Sequence, residues 1–244
     1  MIPTRTRVFL GVAVIAAAVC VRLGFWQLHR RTERKARNAL IMSRLDSAAV
    51  DATGLPHDTA MARFRRVRIT GVPDYEHELI FAARSYRGSP GVNFLTPVRI
   101  PGRDTAVIVN RGWVYSPDGS TVDESRWRDT SATFTGYAEE LPSVTGSSYA
   151  SRPRVIARLS YGAVSKALPY PVAPFYVVAL GDSVIGPDRL ARLTIPPLDE
   201  GPHLNYAIQW FAFAVIALVG AGVVVRQQRG APSPEQRSAP RPPS

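Results

Sequence analysis

From Leu204 to Val225 the chain runs for 22 residues without a charge, LNYAIQWFAFAVIALVGAGVVV. At about 1.5 Å per residue a helix of that length reaches about 33 Å, enough to cross a bilayer. No other stretch restricts the fold as strongly, and its beginning is polar. At about 100° per residue His203, Tyr206, Ala207, Trp210 and Ala214 share one face, while Asn205 and Gln209 form a second stripe. Interfacial Trp and Tyr also occur in plain anchors, because their amphipathic rings settle at the headgroups. Such a belt does not account for an imidazole, so the stretch predicts a site at the membrane surface.

The N-terminus offers a second span. Residues 1–7, MIPTRTR, are basic, and the apolar stretch that follows admits a cleaved signal peptide, with AAVC at 17–20 loosely resembling a lipoprotein cleavage site. Val19 suits that cleavage poorly, and apolar character resumes after Arg22 as LGFWQL. Val8–Leu28 taken whole would span about 31 Å, which predicts an uncleaved transmembrane helix with Trp26 in the interfacial belt. Arg22 then either snorkels to the headgroups or aims an intramembrane cation at a carboxylate.

Two spans put both termini on one side of the membrane and residues 29–203 on the other. Charge leaves the orientation open. Arg30, Arg31, Arg34, Lys35 and Arg37 outnumber Arg5 and Arg7, yet Arg226, Arg229, Arg237 and Arg241 follow the second span. Long loops also translocate largely regardless of charge.

Between the spans, a polar and helical run near Arg30–Ser47 precedes a series of β-branched, period-two segments. These are FRRVRITGV (64–72), ELIFAARSY (78–86), VNFLTPVRI (92–100), AVIVNRGWVY (106–115) and SATFTGYA (131–138). Turn signals PDYE, YRGSPG, PGRD and SPDGS separate them, and the short intervals between the first four predict an antiparallel meander rather than parallel βαβ units. Residues 140–153 read as an exposed loop, GAVSKAL (162–168) as a helical turn and APFYVVAL (173–180) as a buried closing strand. The Pro-, Ser- and Arg-rich tail 226–244 predicts disorder. The expected fold class is therefore membrane α plus β: two transmembrane helices flanking a mainly antiparallel, meander or barrel-like domain with minor helix.

Composition narrows the chemistry. Net charge is +11 with a pI near 10.5, and Lys occurs only at 35 and 166 among 30 basic residues. The arginines are spread along the chain and cluster beside an apolar helix, which favours anionic headgroups or carboxylate ligands over nucleic acid. Cys20 stands alone, so no intramolecular disulfide, CxxC pair or CxxCH haem attachment is possible. Three scattered Met residues do not make a copper-carrier surface. No GxSxG, P-loop, GxGxxG or HExxH occurs, and His57 and His77 read as solvated surface; no enzyme class is supported. NRGW (110–113) reads first as a structural corner in which Gly112 permits a bulge and Trp113 covers the sheet edge.

With two spans, the exit of the first helix and the entry of the second share one membrane face. Arg22, His29 and Arg30 then lie near the level of His203, Tyr206 and Trp210. A planar apolar ligand with edge carboxylates suits that place, against Phe25, Trp26 and Trp210, with carboxylates on Arg and a metal on an imidazole.

Four segments carry a resemblance: GFWQLHRRTERK (24–35), GVNFLTPVRI (91–100), VIVNRGWVY (107–115) and HLNYAIQWFAFA (203–214). Their order resembles that of the surfeit locus protein 1 family. The resemblance implies an assembly factor for haem-copper cytochrome c oxidase, with two transmembrane helices around an extracytoplasmic domain. It implies transient binding of haem a, insertion into oxidase subunit I, and contact with subunit I and with haem a synthesis or delivery proteins. His203 matches the family's implicated ligand; Trp26, Gln27 and Arg30 match the first-helix motif, which supports their neighbourhood and not a ligand role; His29 as a second ligand is a hypothesis outside it. The implied layout is a cytoplasmic N-terminus (1–7), helix 8–28, periplasmic domain 29–203, helix 204–225 and cytoplasmic tail 226–244, and a start without a long Arg- and Ser-rich presequence favours a bacterial plasma membrane over a mitochondrial one. A membrane-tethered scaffold that stabilises an assembly intermediate without haem is the alternative.

Overall fold

A computed structural model describes residues 3–56, 58–129, 131–143, 152–181, 189–195 and 197–229. The chain divides into a sheet unit, Leu40–Pro197, and a helical unit made of its two ends, up to Ala39 and from Leu198. Among the described residues four α-helices are formed: α1 (Thr4–Leu45), α2 (Thr59–Ala62), α3 (Tyr161–Ala167) and α4 (His203–Arg229). The strands are β1 (Val50–Asp51), β2 (Arg66–Thr70), β3 (Val72–Pro73), β4 (Leu79–Tyr86), β5 (Ser89–Arg99), β6 (Ala106–Tyr115), β7 (Thr133–Glu140), β8 (Val155–Ile156) and β9 (Val172–Ala179).

In the helical unit, α1 and α4 are each long and apolar enough to cross a membrane. Little of either apolar window is buried inside the protein, so these helices are not the core of a soluble fold. Their outward residues, such as Ile15, Val19, Ile216 and Val219, are exposed aliphatics of the kind that lipid covers. The two spans are thus consistent with a membrane protein. The apolar stretch and the polar helical run after it form one unbroken helix, α1, because no Gly or Pro interrupts residues 25–45. The last turns of α1 belong to the sheet unit, where Leu45 is buried and Arg44 donates to the carbonyls of Ala60 and Arg63.

The sheet runs β1-β2-β7-β9-β6-β5-β4-β8, with β3 paired to β5. Because β3 directly continues β2, the ladders β2–β7, β7–β9, β9–β6, β6–β5 and β5–β3 close a ring, which is the barrel-like part of the expectation. The antiparallel meander holds only for β4, β5 and β6. The sheet is mixed: β6–β9, β4–β8 and β1–β2 are parallel. The reason is that β9 inserts between β6 and β7, and a parallel neighbour needs a long crossover, here everything from Ser116 to Pro171. Local turn chemistry cannot announce such a pairing.

Alternation fills the ring. Val67 and Ile69 of β2, Val107 and Val109 of β6, Phe134 and Ala138 of β7, and Phe175 and Val177 of β9 form one buried cluster. A second cluster sits on another face, where Leu79, Leu95 and Ile108 meet Leu141, Ile156 and Val164. Burying each such aliphatic side chain contributes about 1.5–3 kcal/mol. Leu141 corrects part of the loop expectation: it is 2% exposed and donates its N–H to Pro174, whereas residues 144–151 lie outside the description. Ser160 caps α3 by accepting from the Ala163 N–H, so GAVSKAL folds as expected. His57 lies outside the described residues. His77 is not merely solvated, since its Nδ1 lies 2.8 Å from Asp74 and its ring meets Tyr170 edge-on.

The β5–β6 register shifts between Phe94 and Leu95, so that Phe94 faces Gly112, Leu95 faces Asn110 and Arg111 is the extra residue of a bulge. Gly112 takes φ +138°, and a Cβ there would lie 2.6 Å from the Ala191 carbonyl oxygen. Gly112→Ala therefore meets strain and a backbone clash together. Denaturant unfolding followed by fluorescence is expected to show a loss of about 2–4 kcal/mol.

Candidate functional site

The two apolar helices run antiparallel, fastened at both ends. Gln228 donates to the Thr6 hydroxyl at one end, and His203 Nδ1 lies 2.8 Å from Gln27 Oε1 at the other. Between these points the buried positions are small: Ala13, Ala17 and Gly24 on α1, Ala207, Ala214 and Ala221 on α4. Without a hydrophobic drive between helices in lipid, small residues at near-heptad spacing let backbones approach. Gly24 is the tightest point, since a Cβ there would sit 2.6 Å from the Phe211 ring. The segment leading into α4 is tied to α1 as well: Glu200 pairs with Arg31 and Lys35, and the Asp199 carbonyl accepts from Asn38. These contacts set the height of His203 against Gln27.

Helical phase then sorts the predicted residues onto two flanks. Phe25 and Phe211 meet edge-to-face at 5.4 Å and mark one flank. Arg30 on α1 and Tyr206 on α4 each lie about 140° around their helices from those rings, and Trp210 and Trp26 about 100°. His203 lies about 80° from Phe211, towards Tyr206. The second flank thus gathers His203, Tyr206, Trp210, Gln27 and Arg30, with Trp26 at its edge. Arg22 and His29 fall about 60° and 40° from Phe25, on the first flank. Arg22 is exposed, and His29 points its Nε2 at Glu33 (3.2 Å). Arg30 also pairs with Glu33, at 2.7 Å. Trp210 packs on Phe213, and Tyr206 and Trp26 stay about half exposed.

The chemistry of His203 follows from its partner. A carboxamide oxygen only accepts, so in this arrangement Nδ1 donates, and in the neutral imidazole the lone pair then sits on Nε2. That is the arrangement by which a second group orients a metal-ligating imidazole. Gln27 belongs to the first-helix motif, and its role is set by the packing of α4.

A second arrangement lies in the sheet unit. Arg111 is 0% exposed and Glu78 1%, a charge pair in the interior of the sheet unit. Arg111 donates to Glu78 Oε1 from Nη2 (2.5 Å), to Thr96 Oγ1 from Nε (2.6 Å), and to Asp129 Oδ2 from Nη1 (2.8 Å). Its guanidinium lies over the rings of Tyr75 and Phe94. Arg192 donates to Asp129 Oδ1 (2.6 Å) and to the Arg111 carbonyl. Burial pushes the Glu78 carboxyl above its ordinary value, opposed by the Arg111 charge and the Thr96 hydrogen bond. Desolvation works against the Arg111 charge, but Glu78 and Asp129 outweigh it. NRGW is thus a corner whose bulge turns Arg111 inward. The sequence signal was a charged residue inside an otherwise apolar strand.

A sequence description of the SURF1 family matches residues 14–215. Among similar proteins, uncharacterized SURF1-like proteins of Mycobacterium bovis and Mycobacterium tuberculosis are each 30% identical over 229 residues, covering 86% of this chain and 82% of the relative. A SURF1-like protein of Rickettsia felis is 27% identical over 216 residues, covering 85% and 92%. The chain belongs to the SURF1 family, the surfeit locus protein 1 family, which is generally linked to oxidase assembly.

Removing one partner of a buried ion pair leaves the other charge uncompensated. Arg111→Met should lower the stability of the sheet unit by about 3–5 kcal/mol, and Arg111→Met with Glu78→Leu should recover much of that. Urea titrations of the two variants make the comparison.

Proposed function

We propose that this protein is a non-enzymatic assembly factor for haem-copper cytochrome c oxidase. In this reading it holds haem a at the outer membrane boundary and assists its insertion into subunit I. The observation that carries the proposal is the His203–Gln27 hydrogen bond, which leaves Nε2 as the ligating atom at the mouth of a paired transmembrane site.

The donor set suits the cargo. His203 would ligate iron, the rings of Tyr206, Trp210 and Trp26 would cover an apolar macrocycle, and Arg30 is the guanidinium on that flank for a propionate. Arg22 and His29, on the other flank, serve this reading less directly. A single protein imidazole suits a carrier, because delivery requires a hold weaker than that of the recipient. Family membership supports an extracytoplasmic sheet unit with both chain ends in the cytoplasm of a bacterial cell. Subunit I and haem a synthesis or delivery proteins are the partners this implies.

The test is to purify the full chain from cells that make haem a and record its absorption spectrum. A haem band that is absent in His203→Ala supports the proposal. Gln27→Ala should weaken haem affinity about 10–100-fold, while His29→Ala should leave the spectrum unchanged. Retention of haem by His203→Ala would overturn His203 as the ligand, and no haem in the parent with oxidase assembly still dependent on the protein would favour the scaffold reading.

A further inference from the structure

At the start of β9 the ladder to β6 is interrupted. Ala106 stands opposite Val172 and Ile108 opposite Tyr176, so β9 passes Ala173, Pro174 and Phe175 where β6 has only Val107. Such a bulge bends the strand that carries it and leaves the extra residues out of the ladder. Pro174 has no N–H to give, and its carbonyl accepts from the Leu141 N–H instead. A cleft of about 370 Å³ lies at this point, and its described lining belongs to the sheet unit. The haem reading makes no use of it.

Most of the lining is apolar. Val107, Ala173 and Phe175 reach it from the buried cluster that fills the ring, and Leu55, Pro56 and Ile100 add to the wall. The 3₁₀ turn Ala52–Gly54 on one side is pinned by Asp51, whose Oδ1 accepts from the Thr53 N–H and hydroxyl. Three polar side chains also line the cleft: Arg103, Thr105 and Tyr161. All three are exposed, and among the described residues none of these side chains has a hydrogen-bond partner, nor Arg103 an ion pair. No carboxylate is among the described lining residues. Asp51 feels the Arg103 charge only through space, and Asp104 beside it in the chain is exposed and does not line the cleft.

We infer that this cleft binds a small monocarboxylate with an aliphatic body, of the medium-chain fatty acid class. Small-molecule sites are clefts of about 300–1,000 Å³, mostly apolar, in which a few polar groups fix the orientation of the ligand. One guanidinium fork matches one carboxylate through paired, charge-assisted hydrogen bonds, and the Thr105 and Tyr161 hydroxyls are further donors. The apolar wall then covers the chain. A bare inorganic anion would leave that wall wet, whereas a neutral or cationic chain would leave Arg103 without a counter-charge. The inference does not rest on the haem reading, and neither stands or falls with the other.

The experiment uses the full chain in nanodiscs of zwitterionic lipid, with calorimetric titration of octanoate, octanol and acetate and the heats from empty nanodiscs subtracted. Saturable one-to-one binding of octanoate is expected, with octanol and acetate each weaker by about tenfold or more, since one lacks the charge and the other the chain. Arg103→Ala should weaken octanoate by about tenfold or more, and Arg103→Lys, which keeps the charge but not the fork, should fall between it and the parent. Thr105→Trp, which places a large ring at the cleft, should weaken it similarly, and Arg87→Ala, an exposed arginine of the β4–β5 turn, should change it by less than about twofold. Unsaturable octanoate heats, octanol binding as tightly as octanoate, no effect of Arg103→Ala, or equal weakening by Arg87→Ala overturns the inference. Arg103 and Thr105 are exposed and their side chains make no hydrogen bond among the described residues, so both variants should keep the urea midpoint of the parent.

Discussion

The sheet unit turns on a guanidinium with nowhere to go but its partners. Arg111 is the extra residue of a bulge, so its side chain enters the interior instead of alternating outward. There it ties together the residue before β4, the middle of β5, the turn carrying Trp127 and Asp129, and, through its own carbonyl, Arg192. Five segments distant in sequence share one charge. A buried cation is tolerated only when every donor finds an acceptor, so the network constrains all of them at once.

The helical unit obeys a different rule. In lipid there is nothing to gain by hiding apolar surface from other apolar surface, so the helices are held by close approach and by a few polar contacts. Gly24 and the three alanines of α4 supply the approach, and the hydrogen bonds at the two ends supply the register. The polar contact that positions the helices is the same one that orients His203. Helix fastening and orientation of the imidazole are therefore one interaction, so loosening the helix pair would also disturb the imidazole.

Much of this was legible. AVIVNRGWVY is β6 residue for residue, the other long strands fall within two or three positions of their alternating segments, and both spans follow from uncharged length. These features depend on periodicity along a single element. The place of β9 between β6 and β7 was not legible, nor were the three parallel ladders, because pairing joins segments whose local patterns are alike. At the candidate site His203, Tyr206 and Trp210 were readable as one helical face. Gln27 gained its role only from α4, and Arg22 and His29 were separated from His203 by the rotation of α1 about its own axis.

The amino-acid order alone determined where the chain can cross a bilayer, which residues alternate and which family motifs it carries, since each is encoded within a few turns or one strand. Tertiary structure decided which strands neighbour one another, which flank each helical residue faces, and that a lone arginine in an apolar strand becomes a buried charge centre. Those outcomes depend on the mutual orientation of segments far apart in the chain, a quantity that no local window contains.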